Sequence, residues 1–320
     1  MNVNAHAEPA VDYLREHATR LRVERHEIGG VEVIDCGVAA HGGIEAGTRL
    51  AEACMAGLAS VRVAPGDASV WPGPWVTVET DCPVAACMAS QYAGWEVSAD
   101  GFFAMASGPF RAAAAHETLF EEPAIFSLRD PTPDACVGVL EASELPPPAV
   151  CRSLAEKCGV GPAALTLIVA PTNSQAGTLQ VVARSVETAM HKLHELGFDL
   201  STIESAWGTA PLAPVAGDAL AAIGRTNDAI LYGGHAVLYV RGADDAVADL
   251  GPKTPSSSSA DHGRPFRDVF AAYDHDFYRI DKLLFSPAMV TFVSLDSGQV
   301  HRFGKLEPEL IAESFGVATP

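Results

Sequence analysis

The sequence predicts an α/β fold divided into two domains. Its 320 residues correspond to about two domains, because one domain typically has roughly 100–200 residues. Hydrophobic residues make up 48% of the chain and charged residues 19%, a composition that can build sizeable cores and excludes a disordered chain. Strand-like and helix-like segments alternate without a long run of strands, which is the pattern of α/β proteins.

The N-terminal half contains several of these alternating elements. Charged residues interleaved with apolar ones predict an amphipathic helix over 10–22, and GVEVIDCGV (30–38) indicates a buried strand. A glycine-rich turn leads into an alanine-rich helix in HGGIEAGTRLAEACMAGL. Further strands are predicted in SVRVA, WVTVETD (75–81) and CVGVLEA (136–142), and further helices after Pro83 and near Pro109.

Three consecutive prolines, 146–148, separate the two halves of the chain. Proline blocks helix and ladder hydrogen bonds, so we place a hinge there, with domains at 1–145 and 146–320, although C-terminal strands can return to the first domain. The elements predicted beyond the hinge are a helix in CRSLAEKCGV, a doubly buried strand in LTLIVAP (165–171), a helix over 181–196, two strand segments in DAILYGGHAVLYVRG (228–242) and a hairpin turning at 296–298.

The charge of the chain restricts its partners. It has 21 basic and 40 acidic residues, a formal net charge of −19 that repels a phosphate backbone and an anionic membrane surface. We therefore expect no nucleic-acid partner and no membrane partner. The first residues lack the basic start and apolar core of a secretion signal, and the seven cysteines include no C-x-x-C pair. Both features favour a cytoplasmic protein with reduced thiols.

A run of four serines, 256–259, is typical of a flexible loop. The segment that follows it is rich in aromatic residues, which need a core to pack in. These are Phe266, Phe270, Tyr273, Phe277, Tyr278 and Phe285. We therefore expect the serine run and its neighbours to be ordered.

The short motifs of common enzyme classes are missing. The sequence has no P-loop, dinucleotide fingerprint or nucleophile elbow. His191 and His194 have a spacing that can bind a metal, with Glu187 one turn earlier, but no third ligand is indicated and a solvated pair is the simpler interpretation. The DHD at 274–276 is equally ambiguous, and SGP at 107–109 indicates the start of a helix more readily than an anion site. We predict no catalytic metal.

The stretch 181–199 has two faces on a helical wheel. Its apolar stripe consists of Val182, Val186, Ala189, Leu193 and Leu196. Arg184, Glu187 and His191 lie on roughly the opposite side. From spacing alone, Arg184 and Glu187 form a surface ion pair worth roughly 0.2–0.5 kcal/mol. In the functional alternative Glu187 is a general base in a cleft and Arg184 sets its electrostatic environment, and the spacing leaves both open.

Several longer stretches carry a more specific signal. They are ACMASQYAGWEV (86–97), MASGPFRA (105–112), APTNSQAGTLQVVARSVETAMHKLHELGFD (170–199), LYGGHAVLYV (231–240), and PSSSSADHGRPF with DFYRIDKLLFSPA (255–288). In this order, and with LEPELIAESF near the end, the chain closely resembles the methenyltetrahydromethanopterin cyclohydrolase family.

The resemblance implies an enzyme of one-carbon metabolism, as in methylotrophy and formaldehyde oxidation. Members of the family reversibly hydrolyse 5,10-methenyl-tetrahydromethanopterin to 5-formyl-tetrahydromethanopterin. The resemblance also implies a homotrimer of subunits with two α/β domains, in which mixed sheets are flanked by helices and the substrate cleft lies between the domains. It implies no metal or redox cofactor. The acidic, alanine-rich composition favours the dephospho form of the carrier.

The Arg and Glu of the family's R-x-x-E segment match Arg184 and Glu187. In that role Glu187 accepts a proton from the attacking water and returns it to the leaving nitrogen, while Arg184 is its electrostatic partner. The candidates for substrate binding are Ser90, Gln91, Tyr92, Ser107, Arg111, Asn173, Gln175 and His235. Each has a structural alternative, such as core packing for Tyr92 or a helix-surface pair for Arg111. Many relatives have Asp-Tyr-Gly where 261–263 is Asp-His-Gly, which leaves the role of His262 open.

Two other functions stay open at this point. A non-catalytic pterin-binding protein would keep the fold, although the presence of both Arg184 and Glu187 argues against it. A methenyl-tetrahydrofolate cyclohydrolase would act on the folate analogue and give the 10-formyl isomer.

Overall fold

The computed structural model describes residues 1–99 and 101–316, apart from the side chain of Tyr278. The chain forms two compact units. Unit 1 consists of Met1–Ser60 and Val84–Gln180, and unit 2 combines Val61–Pro83 with the chain from Val181 onward. Each unit therefore contains two separate stretches of sequence, and this division differs from the contiguous domains predicted at 1–145 and 146–320.

The strands of the described residues are β1 (Glu24–Ile28), β2 (Val31–Asp35), β3 (Ser60–Pro65), β4 (Pro74–Thr80), β5 (Trp95–Ala99), β6 (Phe102–Ser107), β7 (Cys136–Glu141), β8 (Leu165–Ala170), β9 (Ile203–Pro211), β10 (His235–Val240), β11 (Met289–Ser294) and β12 (Val300–Gly304). The α-helices are α1 (Val3–Glu16), α2 (Ala18–Leu21), α3 (Ile44–Cys54), α4 (Phe110–Ala114), α5 (Pro123–Phe126), α6 (Pro148–Lys157), α7 (Gln175–Val182), α8 (Ser185–Glu195), α9 (Ala219–Leu231), α10 (Asp244–Leu250), α11 (Phe266–Ala272) and α12 (Pro308–Phe315). A π-helix spans Val84–Gln91.

Unit 1 contains a mixed sheet with the strand order β1-β2-β8-β7-β6-β5. β8 pairs in parallel with both β2 and β7, and the outer pairs are antiparallel. Successive β8 side chains enter different cores, because Leu167 packs in one cluster with Val33, and Ile168 packs in the other with Ile34. This alternation confirms that the apolar run at 165–171 forms a strand buried on both faces.

Unit 2 contains a second mixed sheet, with the strand order β12-β11-β10-β9-β4-β3. β10 and β11 are parallel, and the pairs β4–β9, β9–β10 and β11–β12 are antiparallel. The antiparallel β11–β12 pair confirms the hairpin predicted around 296–298. Together the two sheets with their flanking helices confirm the predicted α/β fold.

Side-chain caps explain where two of the helices begin. The Asn2 side chain accepts a hydrogen bond from the amide of Ala5 at 3.0 Å, so α1 begins seven or so residues earlier than the apolar pattern of 10–22 predicts. The Asp218 side chain caps α9 in the same way, by accepting from the amide of Ala221 at 2.8 Å. α9 continues to Leu231, so the first of the two strands predicted in 228–242 is wrong, whereas β10 (His235–Val240) confirms the second.

Three further predictions need correction. Pro148 is the first residue of α6 in unit 1, so the prolines at 146–148 open a helix and do not link two domains. The predicted helix after Pro83 is a π-helix. The helix predicted over 181–196 is interrupted, because α7 ends at Val182 and α8 begins at Ser185. In residues 1–99 and 101–316, no helix has the length and apolar composition needed to cross a bilayer.

Candidate active site

The interruption between α7 and α8 places Arg184 and Glu187 at the start of a helix. Arg184 is the N-cap residue of α8 (φ −96°, ψ 12°), and Glu187 lies in the first turn. The amino terminus of a helix carries partial positive charge. A carboxylate at Glu187 is therefore favoured by the helix as well as by its arginine neighbour.

Arg184 and Glu187 form a buried ion pair in unit 2. Arg184 Nη1 lies 3.5 Å from Glu187 Oε2, and the two side chains are only 8% and 6% exposed. A solvated surface pair is excluded by this burial. Removing one member of a buried pair typically costs about 3–5 kcal/mol, because the other charge is left without compensation.

A close approach to β9 fixes the first turn of α8. A Cβ atom on Gly208 would lie 2.5 Å from Ser185 Oγ and 2.8 Å from Val186 Cγ2, so only glycine allows this packing. Thr188 Oγ1 donates to the carbonyl of Arg184 at 2.9 Å. Within the described part of the chain, Ser185 Oγ is buried and has no hydrogen-bond partner.

The next turn of α8 carries His191. His191 Nε2 lies 3.5 Å from Glu195 Oε1, and burial lowers the pKa of His191 to about 4, although Glu195 opposes this shift. His191 is therefore neutral near pH 7. The residues that the structure describes contain no cluster of three or more His, Cys, Asp or Glu side chains that could hold a metal ion.

Lys192 connects α8 to the serine run. Its side chain is fully buried, and its ammonium donates to Ser258 Oγ at 2.9 Å and to the carbonyl of Leu283. Burial lowers the pKa of Lys192 to about 8, and the nearby Asp281 raises it. Ser259 Oγ in turn donates to Asp281 Oδ2 at 2.6 Å. These contacts confirm the prediction that the serine run is ordered.

The aromatic residues that follow the serines pack together as predicted. The ring centroids of Phe270 and Phe277 are 4.4 Å apart, and those of Phe266 and Phe285 are 5.8 Å apart. Tyr273 differs, because its hydroxyl donates to the carboxylate of Asp261 at 3.0 Å. The side chain of Tyr278 lies outside the described residues.

Ser90, Gln91 and Tyr92 lie at the end of the π-helix in unit 1. Ser90 and Gln91 are fully buried, and Ser90 Oγ donates to the carbonyl of Ala85 at 2.9 Å. Tyr92 is half-buried, with its ring centroid 5.2 Å from Cζ of Arg111. The Ser90 hydroxyl therefore has a partner within the helix, which favours the structural alternative for this residue.

Two more candidates in unit 1 also have structural partners. Arg111 is fully buried and forms an ion pair with Glu117, with 2.5 Å between Nη2 and Oε2. This pair is internal, whereas the alternative considered from sequence was a pair on a helix surface. Ser107 Oγ lies 3.2 Å from Cys54 Sγ in the core.

Asn173 and Gln175 follow the carboxyl end of β8, next to the carboxyl end of the parallel strand β7. Asn173 is half-buried and Gln175 is exposed. Glu141, the last residue of β7, accepts a hydrogen bond from Thr172 Oγ1. Sequence reasoning did not single out Glu141. The available signal was a carboxylate at the end of an apolar strand, because ligands in α/β sheets bind beyond the carboxyl ends of parallel strands.

His235 and His262 lie in unit 2. His235 begins β10, and its Nε2 lies 3.0 Å from Thr291 Oγ1. The His262 ring is 5.0 Å from the ring of Tyr232. Burial lowers the pKa of both imidazoles, so neither contributes a fixed positive charge at neutral pH.

Comparison with known proteins assigns the family. The chain is 48% identical over 292 residues to the methenyltetrahydromethanopterin cyclohydrolase of Rhodopirellula baltica, covering 91% of this chain and 87% of that protein. It is 48% identical over 320 residues to the protein of that name from Methylobacterium sp. (98% and 97% covered), and 40% identical over 317 residues to that of Methanospirillum hungatei (99% and 99%). The sequence model described as Cyclohydrolase (MCH) matches residues 2–315. The chain therefore belongs to the cyclohydrolase (MCH) family of enzymes, as its resemblance predicted.

Proposed function

We propose that this protein catalyses the reversible hydrolysis of 5,10-methenyl-tetrahydromethanopterin, or of its dephospho form, to 5-formyl-tetrahydromethanopterin. The observation that supports this proposal most strongly is the buried pair of Arg184 and Glu187 at the start of α8. The pair occurs in a chain that is 48% identical to proteins named methenyltetrahydromethanopterin cyclohydrolase.

The chemistry of the substrate explains why a carboxylate is suited to the reaction. The N5–CH–N10 group is a delocalised cation, and hydrolysis begins when water adds to its central carbon. Glu187 attracts the cation and accepts a proton from that water. Glu187 then returns the proton to N10 as the C–N10 bond breaks. The hydroxyl proton of the adduct leaves as the formyl C=O forms, and it is the net proton released.

Arg184 keeps Glu187 charged before the attack and orients the water or the developing oxygen.

The reaction needs no metal or redox cofactor in this proposal. Because the amidinium carbon is already electrophilic, positioned acid–base catalysis that raises the rate by about 10²–10⁴ is sufficient. We therefore expect prolonged dialysis against EDTA to leave the rate unchanged, measured against a dialysed sample without EDTA. A loss of rate that Zn²⁺ or Mg²⁺ restores would contradict this expectation.

We keep five of the residues predicted from sequence as proposed contacts for the pterin ring: Gln91, Tyr92, Asn173, Gln175 and His235. Ser90, Ser107 and Arg111 instead have the structural partners described above.

A homotrimer and a cytoplasmic location are also part of the proposal. Sedimentation equilibrium of the purified protein would test the trimer through a mass three times that of one chain.

A direct assay tests the activity. Purified protein is added to methenyl-tetrahydromethanopterin and, at the same enzyme concentration, to methenyl-tetrahydrofolate, while the loss of the amidinium absorbance is followed. We expect rapid loss with the first carrier and much slower loss with the second. Tight binding without turnover would instead indicate a non-catalytic pterin-binding protein, and preference for the folate would indicate the folate enzyme.

A further inference from the structure

The π-helix of unit 1 ends on carbonyl groups that its own hydrogen bonds do not satisfy. In a π-helix each carbonyl accepts from the amide five residues later, so the last turn lacks intrahelical donors. The amide of Tyr92 makes the last such bond, to the carbonyl of Cys87 at 2.7 Å. The carbonyl of Met88 comes after it and needs a donor from outside the helix, while the carbonyl of Ser90 accepts from the amide of Gly108 at 2.8 Å and can take a second donor.

Arg111 supplies these donors. Its Nη1 donates to the carbonyl of Met88 at 3.0 Å and to that of Ser90 at 3.1 Å. A cation at the carboxyl end of a helix also faces the negative end of the helix dipole. Because Arg111 is fully buried, its removal takes a fixed, charged donor away from carbonyls in the protein interior, and water can replace it only with neutral, less ordered donors.

Glu117 holds the guanidinium in this position. Arg111 Nε donates to Glu117 Oε1 at 2.8 Å and Nη2 donates to Oε2 at 2.5 Å, a bidentate pair. A Cβ on Gly94 would lie only 2.3 Å from Glu117 Oε2, so the glycine makes room for the carboxylate. The arginine thus joins α4 to the end of the π-helix, and its donors are directed at protein groups.

We propose that Arg111 is a positioning residue that sets the place of Gln91 and Tyr92 by capping the π-helix, and that it does not itself contact the substrate. Gln91 is the last residue of that helix and Tyr92 follows it with its ring against the guanidinium. The functional part of this inference rests on the proposed function, in which these two residues contact the pterin. The capping of the π-helix by Arg111 does not depend on the proposed function.

The test removes Arg111 and restores its chemistry from solution. In Arg111→Ala the lost charged hydrogen bonds raise KM for the methenyl carrier about 10-fold or more, while kcat changes much less because Glu187 is intact. Millimolar guanidinium occupies the vacated space and lowers KM again, whereas ammonium at equal ionic strength does not. Arg129→Ala, which removes an exposed arginine of the same unit, is the matched control and leaves KM unchanged.

Hydrogen exchange of the substrate-free protein gives a readout that does not depend on activity. We expect the amide of Tyr92 to exchange faster in Arg111→Ala and to slow again with guanidinium. Unchanged exchange and unchanged KM in a folded Arg111→Ala protein would overturn the proposal. So would faster exchange together with an unchanged KM. If the wild-type protein shows no turnover, the proposed function fails while the exchange result still decides the capping.

If Arg111→Ala does not fold, Arg111→Lys and Glu117→Gln replace it. Lysine cannot reproduce the planar fork that serves a carboxylate and two carbonyls, so we expect a raised KM and faster Tyr92 exchange there too. Glu117→Gln keeps the arginine but loosens its anchor, and a smaller change in the same direction is expected. Wild-type KM and exchange in both variants would overturn the proposal.

Discussion

At the scale of single residues, burial decides between the two interpretations of Arg184 and Glu187. Their i,i+3 spacing is equally typical of a surface pair, and resemblance alone indicated a catalytic role. Exposures of 8% and 6% exclude the surface pair. Sequence could not supply this fact, because exposure depends on tertiary packing and not on the spacing within one helix.

Replacing Glu187 by glutamine tests its role as a base. Glu187→Gln keeps the size and most hydrogen-bonding capacity of the side chain but cannot take a proton from water. We expect kcat to fall by about 10²–10⁴ at temperatures where the variant is folded, together with a lower melting temperature because the buried charge of Arg184 loses its counter-charge. Glu195→Gln removes an exposed carboxylate from the same helix and is the control. A Glu187→Gln protein with near-normal turnover would exclude Glu187 as the base.

Two variants test the charge and the shape of the Arg184 side chain separately. Arg184→Met leaves Glu187 buried without its partner, which costs about 3–5 kcal/mol in the free energy of unfolding and also slows turnover. Arg184→Lys keeps the charge without the planar fork, so we expect it to lie between Arg184→Met and the wild type in both stability and kcat. Urea unfolding and initial rates measure the two effects. Equal stability of the three proteins would contradict the buried pair.

At the scale of elements, strongly periodic segments were predicted well and their interruptions were not. The apolar run of β8 and the hairpin of β11 and β12 follow from composition and turn residues. The break between α7 and α8 contains no Gly or Pro that would indicate it in the sequence, and the first turn of α8 after the break packs closely against Gly208 on β9. β1 was missed because it is an edge strand of charged residues without an apolar alternation.

The approach at Gly208 gives a prediction for the element that carries the catalytic pair. Gly208→Ala places a methyl group 2.5 Å from Ser185 Oγ and 2.8 Å from Val186 Cγ2, so the side chains of the first turn of α8 must shift, and we expect the turn to shift with them. We expect kcat to fall at least about tenfold, since small displacements of positioned groups cost up to about 10² in rate, together with a lower melting temperature. Gly217→Ala is the control, because nothing lies within 4 Å of its added Cβ. Equal kinetics in the two variants would contradict this account.

At the scale of the whole molecule, the division into units depends on strand pairing that the order of the sequence does not reveal. β8 inserts between β2 and β7, so the segment around 146–180 stays with the first unit. Prolines mark a change of local structure, and that signal is the same at a domain hinge and at the first turn of a helix. Family resemblance identified two α/β domains correctly, but it did not give their limits.

The stability of unit 2 depends on a buried carboxyl group, that of Asp228 on α9. Asp228 is 1% exposed and accepts hydrogen bonds from the amide of Phe266 at 2.8 Å and from Ser314 Oγ at 2.6 Å. Burial raises the pKa of Asp228 from 3.8 to about 7, the two hydrogen bonds oppose this rise, and the charges of Asp268 and Glu313 add to it. The carboxyl group thus links α9 to the first residue of α11 and to the last turn of α12.

This raised pKa gives a definite sign to the pH dependence of stability. Between pH 3.8 and about 7 the folded protein holds a proton that the unfolded chain has released, so the free energy of unfolding falls as the pH rises through that window and then levels off. The limiting slope is about 1.4 kcal/mol per pH unit.

The variant Asp228→Asn keeps a hydrogen-bond acceptor at this position and removes the titration. Its melting temperature relative to the wild type should therefore increase from pH 5 to pH 7 (about two pH units within the window) and remain constant above it. Asp249→Asn, which removes an exposed carboxylate, should show a constant difference throughout. A difference for Asp228→Asn that is already constant between pH 5 and pH 7 would mean that this carboxyl group is ionised in the folded protein throughout that range.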